Sequence, residues 1–142
     1  MQLRPEQILN DHQLRRTAVR LAVLRIFLEA DEALSQSYLE QQFEQVDRIT
    51  LYRTLRTFEQ KGVIHRALDG TDTPKYALCA GECNEHAHHD HHAHFHCDDC
   101  GRTYCLEEMV APRFHAPRGF RVDEAHMVLT GVCKECLEGV SP

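Results

Sequence analysis

Apolar residues recur at helical spacing through the first third of the chain. In "LRRTAVRLAVLRIFLEA", Leu14 to Ala30, the side chains of Val19, Val23, Ile26, Phe27 and Ala30 share one helix face, and Thr17 stands where an N-cap belongs. "SQSYLEQQF" starts a second helix with Ser35 as its cap and an apolar stripe of Tyr38, Leu39 and Phe43. "DRITLYRTLRTFEQKGVI" puts Leu51, Leu55 and Phe58 on one face of a third, with Gly62 placed to end it. Val63 to Arg66 and "KYALC" then read as two short strands around the turn "LDGTDTP". Three helices followed by a hairpin is the order of a winged helix-turn-helix, a DNA-binding architecture. A plain helical bundle with a hairpin has the same order. The third helix favours DNA: Arg48, Thr50, Tyr52, Arg53 and Arg56 lie off its apolar stripe, and no acid interrupts Arg48 to Arg56.

The pattern then changes. "AGECNEHAHHD" is a polar tether, "HHAHFHC" a strand, "CDDCG" a tight knuckle and "RTYCLEE" a short segment, and "RVDEAHMVLTGVC" reads as a strand leading into "CKEC". The expected class is therefore α+β, with a winged-helix unit over residues 1–81, a hinge over 82–90 and a small α/β unit over 91–142.

Charge follows the same division. Residues 1–81 hold 11 Lys and Arg against 11 Asp and Glu, whereas residues 82–142 hold 5 against 11, which is the whole formal charge of −6. The acidity belongs to the half that carries the histidines, so it does not argue against DNA binding by the other half. No stretch approaches 18 apolar residues, and the start of the chain lacks the apolar core of a signal peptide. A cytoplasmic protein without membrane partners is expected, and there seven cysteines point to metal rather than disulfides.

Cys97 and Cys100, with Cys133 and Cys136, form two Cys-x-x-Cys pairs. Each pair turns two sulfurs toward one point, and two pairs supply the four thiolates of a closed structural zinc site. A redox dithiol would need a thioredoxin-like βαβ setting, which is missing. From His86 to Cys100, "HAHHDHHAHFHCDDC" holds seven histidines. Imidazole is a poor core filler, so this density calls for a ligand role. On a strand, His92, His94 and His96 share one face and can bite one ion. His92 and His94 are the best chelating pair, and His96 could be exposed. His86, His88 and His89 read as solvated linker.

The chain resembles the ferric uptake regulator family of metal-dependent bacterial repressors. The resemblance runs from "LRRTAVRLAVL" through "TLYRTLRTFEQKGVIHR" and "KYALC" to "HHAHFHCDDCG" and "GVCKEC". It implies a winged-helix domain, a hinge and an α/β dimerisation domain, in a homodimer that grips double-stranded operator DNA when a regulatory metal sits at the hinge. It also implies regulatory ligands at His65, Cys79, His92 and His94, as in the zinc-sensing branch. Three nitrogens and one sulfur suit tetrahedral zinc. Cys83 is the substitute for Cys79. The iron-sensing branch draws on a histidine and a glutamate where this chain has Ala33 and Ala77, so iron or manganese is the weaker expectation. A further site of the family is incomplete: His91 matches, Ala93 replaces the usual acid, Glu107 or Glu108 stands nearby, and His126 is one residue out of place. Arg15 matches a minor-groove contact, and Tyr52 and Arg53, beside Thr50, match major-groove contacts. Cys105 receives no role.

The expected function is a zinc-responsive transcriptional repressor controlling metal homeostasis genes, with no small organic substrate. An iron- or peroxide-responsive regulator is the alternative within the family, although a thiolate at Cys79 disfavours peroxide chemistry. A zinc store or chaperone would not need the winged-helix half. A zinc hydrolase would need an open coordination position and a general base, and no HExxH motif occurs.

Overall fold

Four helices precede the first hairpin, one more than the apolar pattern predicts. The computed structural model describes residues 3–78, 92–110, 115–123 and 125–139, leaving aside the side chains of residues 92, 107, 108 and 110. The additional helix is α1 (Pro5–Asp11), which opens with proline in its first turn and buries Ile8 and Leu9. Helix α2 (Ala18–Glu29) begins at Thr17, whose side chain accepts a hydrogen bond from the Arg20 amide. Helix α3 (Gln36–Gln42) is capped by Ser35 through the Tyr38 amide. Helix α4 (Arg48–Gln60) is capped by Asp47, which accepts 2.7 Å from the Thr50 amide. Gly62, at φ 80°, lets the chain turn out of α4.

The core of this half gathers Leu9, Val23, Leu24, Leu39, Leu51 and Phe58, all at most 1% exposed, from all four helices. The sheet closing it has the order β1-β3-β2, from β1 (Leu34–Ser35), β2 (Ile64–Arg66) and β3 (Lys75–Leu78), antiparallel throughout. This is the winged helix-turn-helix arrangement, with β2 and β3 as the wing.

The second sheet has the order β5-β4-β6, from β4 (His92–Cys97), β5 (Thr103–Val110) and β6 (Val128–Gly131). Strand β4 is central, antiparallel to β5 and parallel to β6. A short helix, α5 (Lys134–Leu137), follows Cys133. The strand expected over "RVDEAHMVLTGVC" is limited to Val128–Gly131, where β4 offers a free edge for pairing. The β4–β5 register shifts between His92, which pairs with Val110, and Ala93, which pairs with Leu106, so the extra residues lie on β5. Among the described residues of this half the buried apolar set is small: Ala93, Cys97 and Cys133.

The two sheets meet at Thr103, which is fully buried. Its carbonyl accepts from the Ala33 amide at 2.8 Å, and its hydroxyl donates to the Asp69 carboxylate at 2.6 Å. Among the described residues no helix is long and apolar enough to cross a membrane.

Candidate metal centres

The first centre is built by the two knuckles. Cys97 ends β4 and Cys100 follows in the turn, which Gly101 completes at φ 79°. Cys133 and Cys136 flank and enter α5, just after β6. Because β6 runs parallel to β4, with Cys97 opposite Gly131, the two pairs arrive at the same end of the sheet. The Sγ atoms lie 3.9 Å apart for Cys97 and Cys136, and 3.8 Å for Cys100 and Cys133. Disulfide sulfurs would be roughly 2.05 Å apart. Sulfurs at the corners of a tetrahedron around zinc, each about 2.3 Å from the ion, would be about 3.8 Å apart. The four cysteines are thus compatible with a zinc site in both chemistry and spacing. The Cys100 amide donates to the Cys97 sulfur at 3.4 Å and the Cys133 amide at 3.3 Å. The Cys100 amide most of all, joined by those of Cys133 and Asp99 and opposed by burial, lowers the Cys97 thiol to about 6, toward the thiolate a metal needs.

The second centre lies where the wing meets the second sheet. His65, on β2, and His94, on β4, are each only 3% exposed, with ring centroids 5.7 Å apart. Cys105, on β5, joins them: its Sγ lies 3.5 Å from His65 Nε2, and the ligand atoms of all three residues fall within 4.8 Å of one another. Cys105 had no role in the sequence pattern. The available signal was its alternation with Thr103 along β5, which becomes informative only once β5 is paired with β4.

Of the other expected regulatory ligands, Cys79 lies outside the described residues, as do its substitute Cys83 and the tether histidines. His92 is described only as the first residue of β4. For the incomplete further site, His91 and the Glu108 side chain lie outside the described residues, and His126 is exposed two residues before β6. Among the described residues His126 belongs to neither cluster of metal-ligating side chains. The expectation that His96 could be exposed is corrected. Its side chain is 16% exposed, and Nδ1 lies 3.1 Å from Thr103 Oγ1 and 3.5 Å from Asp69 Oδ2.

Asp69, which the sequence pattern passed over as a turn residue, organises this junction. Its side chain is 1% exposed. It accepts from the Thr103 hydroxyl, from the Thr71 amide and hydroxyl, and from Lys75 Nζ at 2.9 Å. Burial opposes ionisation, but these donors, Thr103 first, hold its carboxyl well below the usual carboxylate range. Lys75 Nζ also donates to Thr103 Oγ1 at 2.9 Å, and Arg102 reaches both Glu32 and Glu135.

In the first half, α3 and α4 line a shallow groove with Gln36, Glu40, Arg48, Ile49, Tyr52, Arg53 and Arg56. Tyr52 is 50% exposed, and Arg53 and Arg15 are exposed. Thr50 is half-buried and donates its hydroxyl to the cap residue Asp47 at 3.1 Å, which gives it a part in starting the helix.

A winged helix with an exposed basic helix, joined to a sheet carrying clustered cysteines and histidines, defines a DNA-binding regulator that responds to a metal ion. The chain belongs to the ferric uptake regulator family, whose model matches residues 11–130. Members of the family are transcription regulators, not enzymes, and act on operator DNA as homodimers. The ferric uptake regulation protein of Staphylococcus aureus is 30% identical over 139 residues, 92% of this chain and 93% of the relative. That of Bordetella parapertussis is 29% identical over 136 residues, 89% and 91% of the two chains. A solved zinc uptake regulator complexed with zinc and DNA is similar with a TM-score of 0.60 and 25% identity, covering 94% of this chain and 91% of that one.

Proposed function

We propose that the chain is a zinc-responsive repressor of metal homeostasis genes, acting in the cytoplasm, with a DNA-binding domain over residues 1–81, a hinge over 82–90 and a dimerisation domain over 91–142. The observation that carries this reading is the meeting of His65 and His94, two buried imidazoles from different sheets. An ion held between them ties the orientation of the wing to the sheet that carries the cysteine knuckles, and so to the partner copy. Metal binding then favours the arrangement in which two reading heads match successive half-sites. Cys79 and His92 complete the regulatory set, and Cys97, Cys100, Cys133 and Cys136 hold structural zinc.

The donors support zinc. Both clusters among the described residues consist of nitrogen and sulfur, without a carboxylate, whereas manganese prefers oxygen ligands. The likeness to a zinc uptake regulator bound to zinc and DNA points the same way. Exposed apolar side chains in the second half, Phe120 at 68% and Leu137 at 74% among them, offer surface for a second copy. Tyr52 and Arg53, with Thr50, face the major groove in this reading, and Arg15 a minor groove. The names of the curated relatives favour iron as the second reading. Operator binding titrated with zinc, iron(II) and manganese under reducing conditions separates the two. The zinc reading requires half-maximal binding at the lowest free zinc, and a preference for iron(II) overturns it.

A further inference from the structure

We infer that Ile49 reads the 5-methyl group of a thymine in the operator, which makes it a specificity-determining residue that carries no charge. This rests on the reading that α4 enters the major groove, and it adds to Thr50, Tyr52 and Arg53 a contact of a different chemical kind.

Ile49 is the second residue of α4 and is 64% exposed. Nothing in the fold asks for an isoleucine there. The buried side of α4 is made by Leu51, Thr54, Leu55 and Phe58, and the helix is started by Asp47, which accepts from the Thr50 amide and hydroxyl. A β-branched side chain at an exposed helix position also gives up some helix propensity relative to alanine. One exposed apolar residue is ordinary on a protein surface. The place of this one is not. Ile49 lines the groove of α3 and α4 beside Arg48, Tyr52, Arg53 and Arg56, with Tyr52 and Arg53 three and four residues further along the same helix face. The one acid among those lining residues, Glu40, lies 3.8 Å from Arg48. Three arginines against one acid favour a polyanion as the occupant.

The chemistry of the major groove narrows the contact further. Residues in the first turn of a reading helix reach base edges. Adenine, guanine and cytosine present hydrogen-bonding groups there, and an aliphatic side chain laid over these leaves them without partners. Thymine alone adds a methyl group, which an aliphatic side chain can cover without that loss. Ile49 thus recognises a base by its methyl, which no arginine donor can sense.

The test uses the full-length, zinc-loaded protein and an operator duplex that it selects from random-sequence DNA. Each thymine of the half-site is replaced in turn by deoxyuridine, which removes the methyl and keeps the base pairing. Kd is measured for the parent, Ile49→Val and Ile49→Ala. At one thymine, changed in both half-sites, the parent should bind about fifteenfold more weakly, or about fourfold per half-site, as for one methyl returned to water. Ile49→Ala should bind the unmodified operator more weakly by at least that factor and lose almost nothing further at that thymine. Ile49→Val should keep part of the sensitivity. Zinc content, melting temperature and the salt dependence of binding should match the parent, because the side chain is exposed and uncharged. The inference is overturned if no uracil weakens the parent, or if Ile49→Ala keeps the parent's sensitivity at every thymine, as a contact made by Tyr52 alone would give. It is also overturned if Ile49→Ala changes only the number of dimers on the duplex, which would make the residue a contact between copies. In each of these cases the parent's sequence-specific binding leaves the reading of α4 standing. A parent that selects no sequence, or a selected duplex that Arg53→Ala binds equally well, removes that reading and the inference with it.

Discussion

Replacing Asp69 by alanine should loosen the junction between the wing and the second sheet. The carboxylate is almost fully buried and receives four hydrogen bonds, two from Thr71, one from Thr103 and one from Lys75. Removing it leaves the Lys75 ammonium, 13% exposed, without its only anionic partner among the described residues, although Lys75 still donates to the Gly101 carbonyl and to Thr103 Oγ1, and it takes away the acceptor of the buried Thr103 hydroxyl. Breaking one side of a buried charged pair costs about 3–5 kcal/mol. At this chain length 1 kcal/mol moves the midpoint by about 2–4 °C. A fall of about 10 °C in the melting temperature of the zinc-loaded protein follows. Asp69→Asn keeps the shape and one acceptor oxygen and should lose less than half as much. The pH dependence has a definite sign. Asp69 is held below its ordinary range in the folded protein, so its contribution is present above the unfolded carboxylate value, about 3.9, and is lost as pH falls toward the folded value. The gap between parent and Asp69→Asn should therefore be wide at pH 7 and shrink below about pH 4, zinc loss being common to both. Melting curves recorded at both pH values, with dimer content checked by sedimentation, provide the assay. If Asp69→Ala melts within 1–2 °C of the parent, the buried network does not hold the junction together.

Replacing Cys133 by Ser should remove one zinc per chain and disrupt the second half, because few apolar side chains are buried there among the described residues to hold it without metal. Unchanged zinc content and dimerisation would rule that site out. Arg53→Ala should weaken operator binding by about 1–3 kcal/mol per half-site with zinc content intact. Normal operator binding at matched salt would exclude α4 as the reading helix.

Three of the helices were legible because each carries a long enough apolar stripe and, for α2 and α3, an evident cap at Thr17 and Ser35. Helix α1 buries only Ile8 and Leu9, adjacent in the sequence and so without helical spacing, and its N-cap position holds Arg4, which makes no capping hydrogen bond. Strand β1 has two residues and exists only through its pairing with β3. The four-cysteine cluster was readable from spacing alone, since a Cys-x-x-Cys turn fixes its own geometry. Cys105 was not. Its place beside His94 depends on the register of β5 against β4, which the turn between them sets. Asp69 was hidden for a similar reason, because within "LDGTDTP" it looks like any turn aspartate until Thr103 arrives from 34 residues away. The interruption after His92 was equally invisible, since alternation in the sequence carries no sign of where a ladder breaks.

The central claim is that metal held at His65 couples the wing to the second sheet and thereby controls DNA binding. It is tested most directly by measuring operator binding against free zinc for the parent and His65→Ala, at fixed DNA concentration and salt. His65 is buried on β2 at the junction and does not line the groove of α3 and α4, and the variant's DNA affinity at saturating zinc reports any effect that bypasses the metal. The account predicts that His65→Ala needs at least tenfold more free zinc for half-maximal binding, yet approaches the parent's DNA affinity once zinc is saturating, as linkage requires. An unchanged zinc dependence, or binding that needs no second metal at all, would contradict it.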